Sequence, residues 1–271
     1  MTRDRLIRGG RELALLAVLY GGYSMVRNLI RDNEALAFDN ADRVVSAEKA
    51  LYIFHEPAIQ KALDHGWLMS QLNSFYGIAH FTVTASIMVW LYHRRARYPR
   101  YRNAIMVTTV LALIGYLTFP LAPPRMLPQY GFFDALVRYG SPWTFENSAV
   151  AAVSNQYAAM PSLHIGWAMW CSWVIWKEAA WRWIRPLAFV YTGAVLLVIV
   201  ATGNHYFLDA VGGLVVLLIG VLATHPFHVR SEARKLASEA VVPAVDGDDV
   251  PGVIATGPRG EVHGEAAEVV G

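Results

Sequence analysis

One cysteine, Cys171, is all that 271 residues contain. That excludes an intramolecular disulfide and any site built from several thiolates. Cys171 lies inside an apolar run, where a lone thiol behaves as a small packed hydrophobe. Charge is also scarce. Only 16% of the residues are Asp, Glu, Lys or Arg, and 55% are hydrophobic. Soluble domains carry roughly 25% charged residues, so this composition points away from that class. No small-x-small cleavage site followed by a soluble domain comes after the first apolar stretch, which is therefore read as an uncleaved span and not a secretory signal. The formal net charge of +2 is silent about nucleic acid; what matters is where the positive residues fall.

What is present suits a bilayer. Nine Trp and 13 Tyr supply rings with one apolar and one wet side, the chemistry of a membrane interface. Six apolar stretches, at about 13–30, 67–92, 104–121, 159–176, 184–202 and 206–223, approach the roughly 20 helical residues that a bilayer core takes. The expected fold is an all-α integral membrane protein with six transmembrane helices. Between the first two spans, residues 31–65 alternate apolar and charged side chains, which predicts short amphipathic surface helices or a partly helical solvated loop. Three regions follow: 1–65, an N-terminal span and surface segment; 66–229, the membrane core; and 230–271, a tail without helical or strand period, expected to be disordered.

Lysine and arginine orient the spans. Fifteen fall on the side holding the N-terminus, the 93–102 and 177–185 connectors and the start of the tail; seven fall on the other. The positive-inside rule then places both termini in the cytoplasm of a multi-pass cell-membrane protein. The basic 93–102 connector reads as a cytoplasmic loop, and no nucleic-acid partner is expected.

This topology brings three short stretches to the extracytoplasmic face: the Pro123-Pro124-Arg125 turn, Pro161-Ser162-Leu163-His164, and His205 to Asp209. Ionisable groups at the lip of an apolar span are functional by default. Arg125 has a donor fork suited to phosphate oxygens. Two histidines, His164 and His205, can divide nucleophilic and acid–base work. Asp209, four residues after His205, can hydrogen-bond its ring on a helical face. A helix N-terminus at Ser162 adds N–H donors for an anion. Tyr76 and His80 share a helical face in the second span. Each has a plainer reading: a capping Asp, an interfacial anchor, a satisfied interior histidine. Two His and one Asp are also a metal-ligand set, but the nearby Arg125 fits an anion better, and no metal or other cofactor is expected.

Pro161-Ser162-Leu163-His164 followed by His205-x-x-x-Asp209 resembles the second and third signature motifs of the type 2 phosphatidic acid phosphatase superfamily, lipid phosphatases and phosphotransferases with a helical core. With Pro120-x-x-Pro-Pro-Arg125 and the Tyr76-x-x-x-His80 pair, the set is most similar to the branch that includes inositol phosphorylceramide synthase. The resemblance covers roughly residues 66–225. It implies that His205 is the nucleophile, forming a phosphohistidine, that Asp209 orients it, and that His164 protonates the leaving group and later serves as base. Arg125 and Ser162 would hold the phosphate.

Each of the three motifs departs from the phosphatase pattern. Thr118 stands where that form has Lys, Leu163 where it has Gly, and Val198-Ile199 where Ser-Arg is usual. At least two family cations are thus missing. A dianionic monoester wants more positive charge than a phosphodiester head group, so the expected reaction is transfer of a phospho-head-group, of inositol-phosphate type, from a phospholipid to an alcohol. Tyr76, His80, Asn204 and Tyr206 are neutral groups expected to help bind substrate. Hydrolysis of a lipid or prenyl phosphate, and a non-catalytic lipid carrier or scaffold, remain the alternatives. The lipid, the acceptor and the oligomeric state are not specified by the sequence.

Overall fold

Long apolar runs bounded by Pro, Gly and charged residues fold here into helices alone. The coordinates are a computed structural model and describe residues 3–30, 34–94, 97–140 and 156–240. Among the described residues nine α-helices follow in order: α1 Arg3–Ile30, α2 Glu34–Ala50, α3 Glu56–Ala62, α4 Gly66–His93, α5 Tyr98–Thr118, α6 Ala135–Tyr139, α7 Leu163–Glu178, α8 Ile184–Ala201 and α9 Phe207–Ala240. The described residues contain no named strand, only one isolated parallel bridge between Leu121 and Ala158.

Three of these helices are long and apolar enough to cross a membrane: Gly66–His93, Ile184–Ala201 and Phe207–Arg230. Their outer faces expose large apolar side chains such as Phe81, Val190, Leu218 and Leu222, the pattern of a helix solvated by hydrocarbon. The amphipathic stretch is helical as expected. On α2 the buried positions Ala37, Asn40, Ala41, Val44, Val45 and Glu48 recur at three and four residues and form one face. That face packs with Leu121, Ala122, Leu127, Phe132, Ala159 and Tyr206 in one core cluster.

Local chemistry explains most helix ends. Pro57 and Pro99 occupy the first turns of α3 and α5, where a missing N–H costs nothing. Asp134 caps α6, accepting from Leu136 N–H at 2.9 Å and Val137 N–H at 3.1 Å. After α5 the proline-rich run is pinned on three sides. Asn40 Nδ2 donates to Pro120 O at 2.8 Å, Ala122 N–H to Ala37 O at 3.1 Å, and Tyr206 Oη to Ala122 O at 3.1 Å. At the far end of α7, Glu178 accepts from Tyr101 Oη at 2.6 Å and from Arg97 Nη1 at 2.9 Å.

The compact unit Met1–Arg230 holds all of these contacts. The unit from Ser231 onward is separate, and its described residues, 231–240, are helical. Helix α9 therefore runs past the boundary read at residue 230. The sequence predicts a disordered tail over 230–271; its remaining residues, 241–271, lie outside the described residues.

Glycines let α9 approach its neighbours. A Cβ on Gly220 would stand 2.5 Å from Thr108 Oγ1 and 2.9 Å from Ala104 O of α5. Small residues allow this approach, which close-packed interiors do not otherwise forgive. Gly220→Val should therefore lower stability by about 1–3 kcal/mol, the cost of overpacking, seen as a lower melting temperature of the detergent-solubilised protein.

Candidate active site

The site begins where α8 ends. Gly203 turns the chain with φ +69°, a conformation that favours glycine. A Cβ there would also meet Gln60 Nε2 at 2.8 Å and Arg125 Cβ at 3.3 Å. The turn is tied back to α8, because Asn204 N–H and His205 N–H both donate to Ile199 O, at 2.9 and 3.1 Å. Arg125 N–H donates to Gly203 O at 2.8 Å, so the proline-rich turn and the histidine turn are held as one piece.

His205 is nearly fully buried. Its Nδ1 lies 3.2 Å from Asp209 Oδ2 and 3.0 Å from Ala159 O. Both neighbours are acceptors, so Nδ1 carries the proton and Nε2 keeps its lone pair. Nε2 faces His164 Nδ1 at 3.3 Å. Asp209 is fully buried, and its Oδ2 also accepts from Tyr206 N–H at 3.0 Å. His205 precedes α9 by two residues and Asp209 lies in its first turn, so the pair meets at the helix start and not on one helical face as the spacing suggested.

His164 sits in the first turn of α7 with Ser162 as N-cap. Ser162 is fully buried; its N–H donates to Asp209 O at 2.9 Å, while its Oγ makes no cap bond. The start of α7 is thus clamped to α9 through the backbone, and Ser162 Oγ has no hydrogen-bond partner among the described residues. Arg125 is buried, with Asp134 Oδ2 3.9 Å from its Nε.

The second-span pair joins this group. Tyr76 stacks on His164 with ring centres 4.4 Å apart, and His80 lies 4.3 Å from the same ring. Trp167, which the sequence did not single out, stacks on His80 at 4.7 Å. A small cavity beside His164 is walled by Phe75, Tyr76 and His80 of α4 and by Val195, Val198 and Ile199 of α8. Asn204 and Tyr206 flank His205 in the turn. One Asn204 Nδ2 hydrogen goes to Thr202 Oγ1 at 2.8 Å, and Tyr206 Oη donates to Ala122 O at 3.1 Å.

The departures from the phosphatase pattern have structural partners. Thr118 Oγ1 bonds back to Ile114 O at 3.0 Å within α5. Leu163 packs on the Ala112, Leu113 and Tyr116 cluster. Val198 and Ile199 are buried apolar residues.

Besides Trp167, sequence reasoning missed two carboxyl groups here. Glu56 Oε1 accepts from Phe207 N–H at 3.1 Å, and Glu48 Oε1 from Leu208 N–H at 2.8 Å. Both carboxyl groups are fully buried. Burial, reinforced by a hydrogen bond to Glu56, pushes the Glu48 carboxyl up to about 9. The signal was legible in part: Glu48 occupies the apolar stripe of α2, one turn beyond Val44 and Val45.

Among the described residues, no three His, Cys, Asp or Glu side chains gather as a metal-holding group. The arrangement offers a lone-pair nitrogen, a second imidazole and a helix N-terminus, with the Arg125 turn tied to the histidine turn through its backbone N–H. A family model described as the PAP2 superfamily matches residues 42–223. Comparison with curated proteins and with solved structures finds no match.

Asp209→Asn is the sharpest probe of the His205 tautomer. The amide keeps an acceptor for Tyr206 N–H but can present a donor to His205 Nδ1. Phosphoryl transfer should fall by about 10²–10⁴-fold, the scale of comparable Asp-to-Asn changes beside a catalytic histidine, while the melting temperature changes little. Turnover and thermal melts on the same preparation check both.

Proposed function

The chain belongs to the PAP2 superfamily, and on that premise we propose that it is a membrane phosphotransferase that moves a phospho-head-group, of inositol-phosphate type, from a phospholipid to an alcohol through a phosphohistidine on His205. A phosphatase or phosphotransferase is what the superfamily provides. The observation that favours this chemistry is the double acceptor at His205 Nδ1, Asp209 Oδ2 and Ala159 O, which leaves Nε2 as a fixed nucleophile aimed at His164.

In the first half-reaction His205 Nε2 attacks phosphorus. The bond from phosphorus to the diacylglycerol oxygen breaks, and His164 gives that oxygen a proton. Asp209 and the Ala159 carbonyl stabilise the positive ring as the P–N bond forms. In the second half-reaction the acceptor hydroxyl attacks phosphorus, its proton passes to His164, and the P–N bond breaks. Arg125 and the N-terminus of α7 with Ser162 hold the non-bridging oxygens. The phosphoryl group takes the place of the resting His205–His164 hydrogen bond. Tyr76 and His80 support the His164 ring.

Transfer is favoured over monoester hydrolysis by charge. Thr118, Val198 and Ile199 leave the site with fewer cations than the phosphatase form, which suits a singly charged phosphodiester. On this reading α1, α5 and α7 join the three strongly apolar helices to make six spans. On this topology the lysine and arginine distribution puts the termini in the cytoplasm of a cell-membrane protein and the histidines at the opposite face.

A label chase tests the reaction. Purified protein is mixed with phospholipids labelled in the phosphate, with and without an alcohol acceptor, beside His205→Ala. Label should reach the acceptor with the wild type and drop at least about 10³-fold in the variant. Label found only in free phosphate or a water-soluble ester would make the protein a hydrolase; equal behaviour of both proteins across a broad lipid panel would leave a lipid carrier. The rate should also be bell-shaped in pH, since one histidine must be neutral and the other protonated. A rate flat from about pH 5 to 9 would contradict that division of labour.

A further inference from the structure

The two-histidine chemistry leaves one buried titratable cluster unused, at the first turn of α9. Three successive backbone N–H groups there are taken by carboxylates from three parts of the chain. Tyr206 N–H goes to Asp209 Oδ2 at 3.0 Å, Phe207 N–H to Glu56 Oε1 at 3.1 Å, and Leu208 N–H to Glu48 Oε1 at 2.8 Å. A helix N-terminus is an anion site by default. Here the protein fills that site with its own oxygens, which leaves the start of α7 for a phosphate.

Both glutamates are fully buried. The second oxygen of each, Oε2, has no hydrogen-bond donor among the described residues, and the first oxygens take the consecutive N–H groups of Phe207 and Leu208, which brings the two carboxyl groups together. Two ionised carboxylates in contact away from water repel and are poorly solvated. A single proton held by Glu48 and donated to Glu56 resolves both problems.

We propose that Glu48 and Glu56 are positioning residues of the active site: an acid–carboxylate pair that locks the first turn of α9 and so holds the His205 ring in line with His164. This rests on the reading of His205 as the nucleophile. The link is short, because Phe207 lies two residues after His205 and Leu208 directly precedes Asp209. Loss of either bond frees a buried N–H and lets the turn shift, and small misplacements of a nucleophile cost orders of magnitude in rate. Around Glu48 stand Glu56 from α3 and Asp209 and Tyr206 at the start of α9. Lys49 is directed elsewhere, over the rings of Phe54 and Tyr130 at 5.2 and 4.6 Å. Glu48 keeps its proton in the folded protein up to about pH 9 but loses it in the unfolded chain near 4.5. The folded state therefore binds the extra proton between those values, and its stability falls as pH rises through that window.

The full-length protein in detergent, with Glu48→Gln, Glu48→Ala and Glu56→Ala, tests this. Melting is followed from pH 5 to 9, and kcat and KM are measured by the label chase well below each melting temperature. The alanine variants should lose about 10²-fold in kcat with KM near wild type. Glu48→Gln, which keeps an acceptor for Leu208 N–H and a fixed donor for Glu56, should rescue most of that loss. It should also flatten the decline of melting temperature with pH. Wild-type kcat in folded Glu48→Ala, or an unchanged melting profile in Glu48→Gln, would overturn the proposal. The melting arm needs no substrate, so a wild type inactive on every lipid would sink the proposed reaction and still leave the pair to stand or fall by its melts.

Discussion

A helix that starts inside a protein must have its first N–H groups satisfied, because unpaired donors away from water cost about 1–3 kcal/mol each. At α9 that requirement organises much of the molecule. Asp209 answers it from within the helix, and Glu56 and Glu48 answer it from α3 and α2. The surface segment is thereby bound to the His205 turn. The same Asp209 oxygen that accepts from Tyr206 N–H also faces His205 Nδ1, so one oxygen both caps the helix and orients the ring. Its backbone carbonyl in turn accepts from Ser162 N–H and fixes the start of α7.

Those bonds explain why residues far apart in sequence act together. Arg125 is joined through its backbone to Gly203, and Tyr206 through its hydroxyl to Ala122. The proline-rich turn, the Ser-Leu-His turn and the His-x-x-x-Asp turn are three parts of one hydrogen-bonded knot. Trp167 and His80 extend it sideways by stacking, so the second imidazole stands against aromatic faces rather than open solvent.

Much of this was legible in the sequence where one strong signal ruled. The stretches read at 67–92 and 184–202 are Gly66–His93 and Ile184–Ala201, because uninterrupted apolar runs leave little choice. Ends set by local chemistry were less clear. α5 starts at Tyr98, inside the basic connector, since Pro99 suits a first turn and arginine is a good helix former. α7 starts later than the apolar run, because Pro161 and the Ser162 N-cap precede it. α9 continues to Ala240 through Ala, Glu, Lys and Arg, which favour helix without being apolar. The meeting of His164, His205 and Asp209 followed from motif spacing, whereas Trp167, Glu48 and Glu56 did not. A glutamate in a charged amphipathic stretch looks like a solvated face, and only tertiary packing shows what it caps.

The length of α7 carries a last consequence. Its 16 residues reach about 24 Å, from the histidine at one end to the Arg97–Glu178 pair at the other. A hydrocarbon core is about 30 Å thick. On the six-span reading, with Glu178 held at the cytoplasmic boundary, His164 lies recessed below the opposite boundary. A lipid acceptor is concentrated at that depth by partitioning, and water is depleted. The competition between alcohol and water for a phosphohistidine would then be decided by where in the bilayer the ring sits, before any contact selects between them.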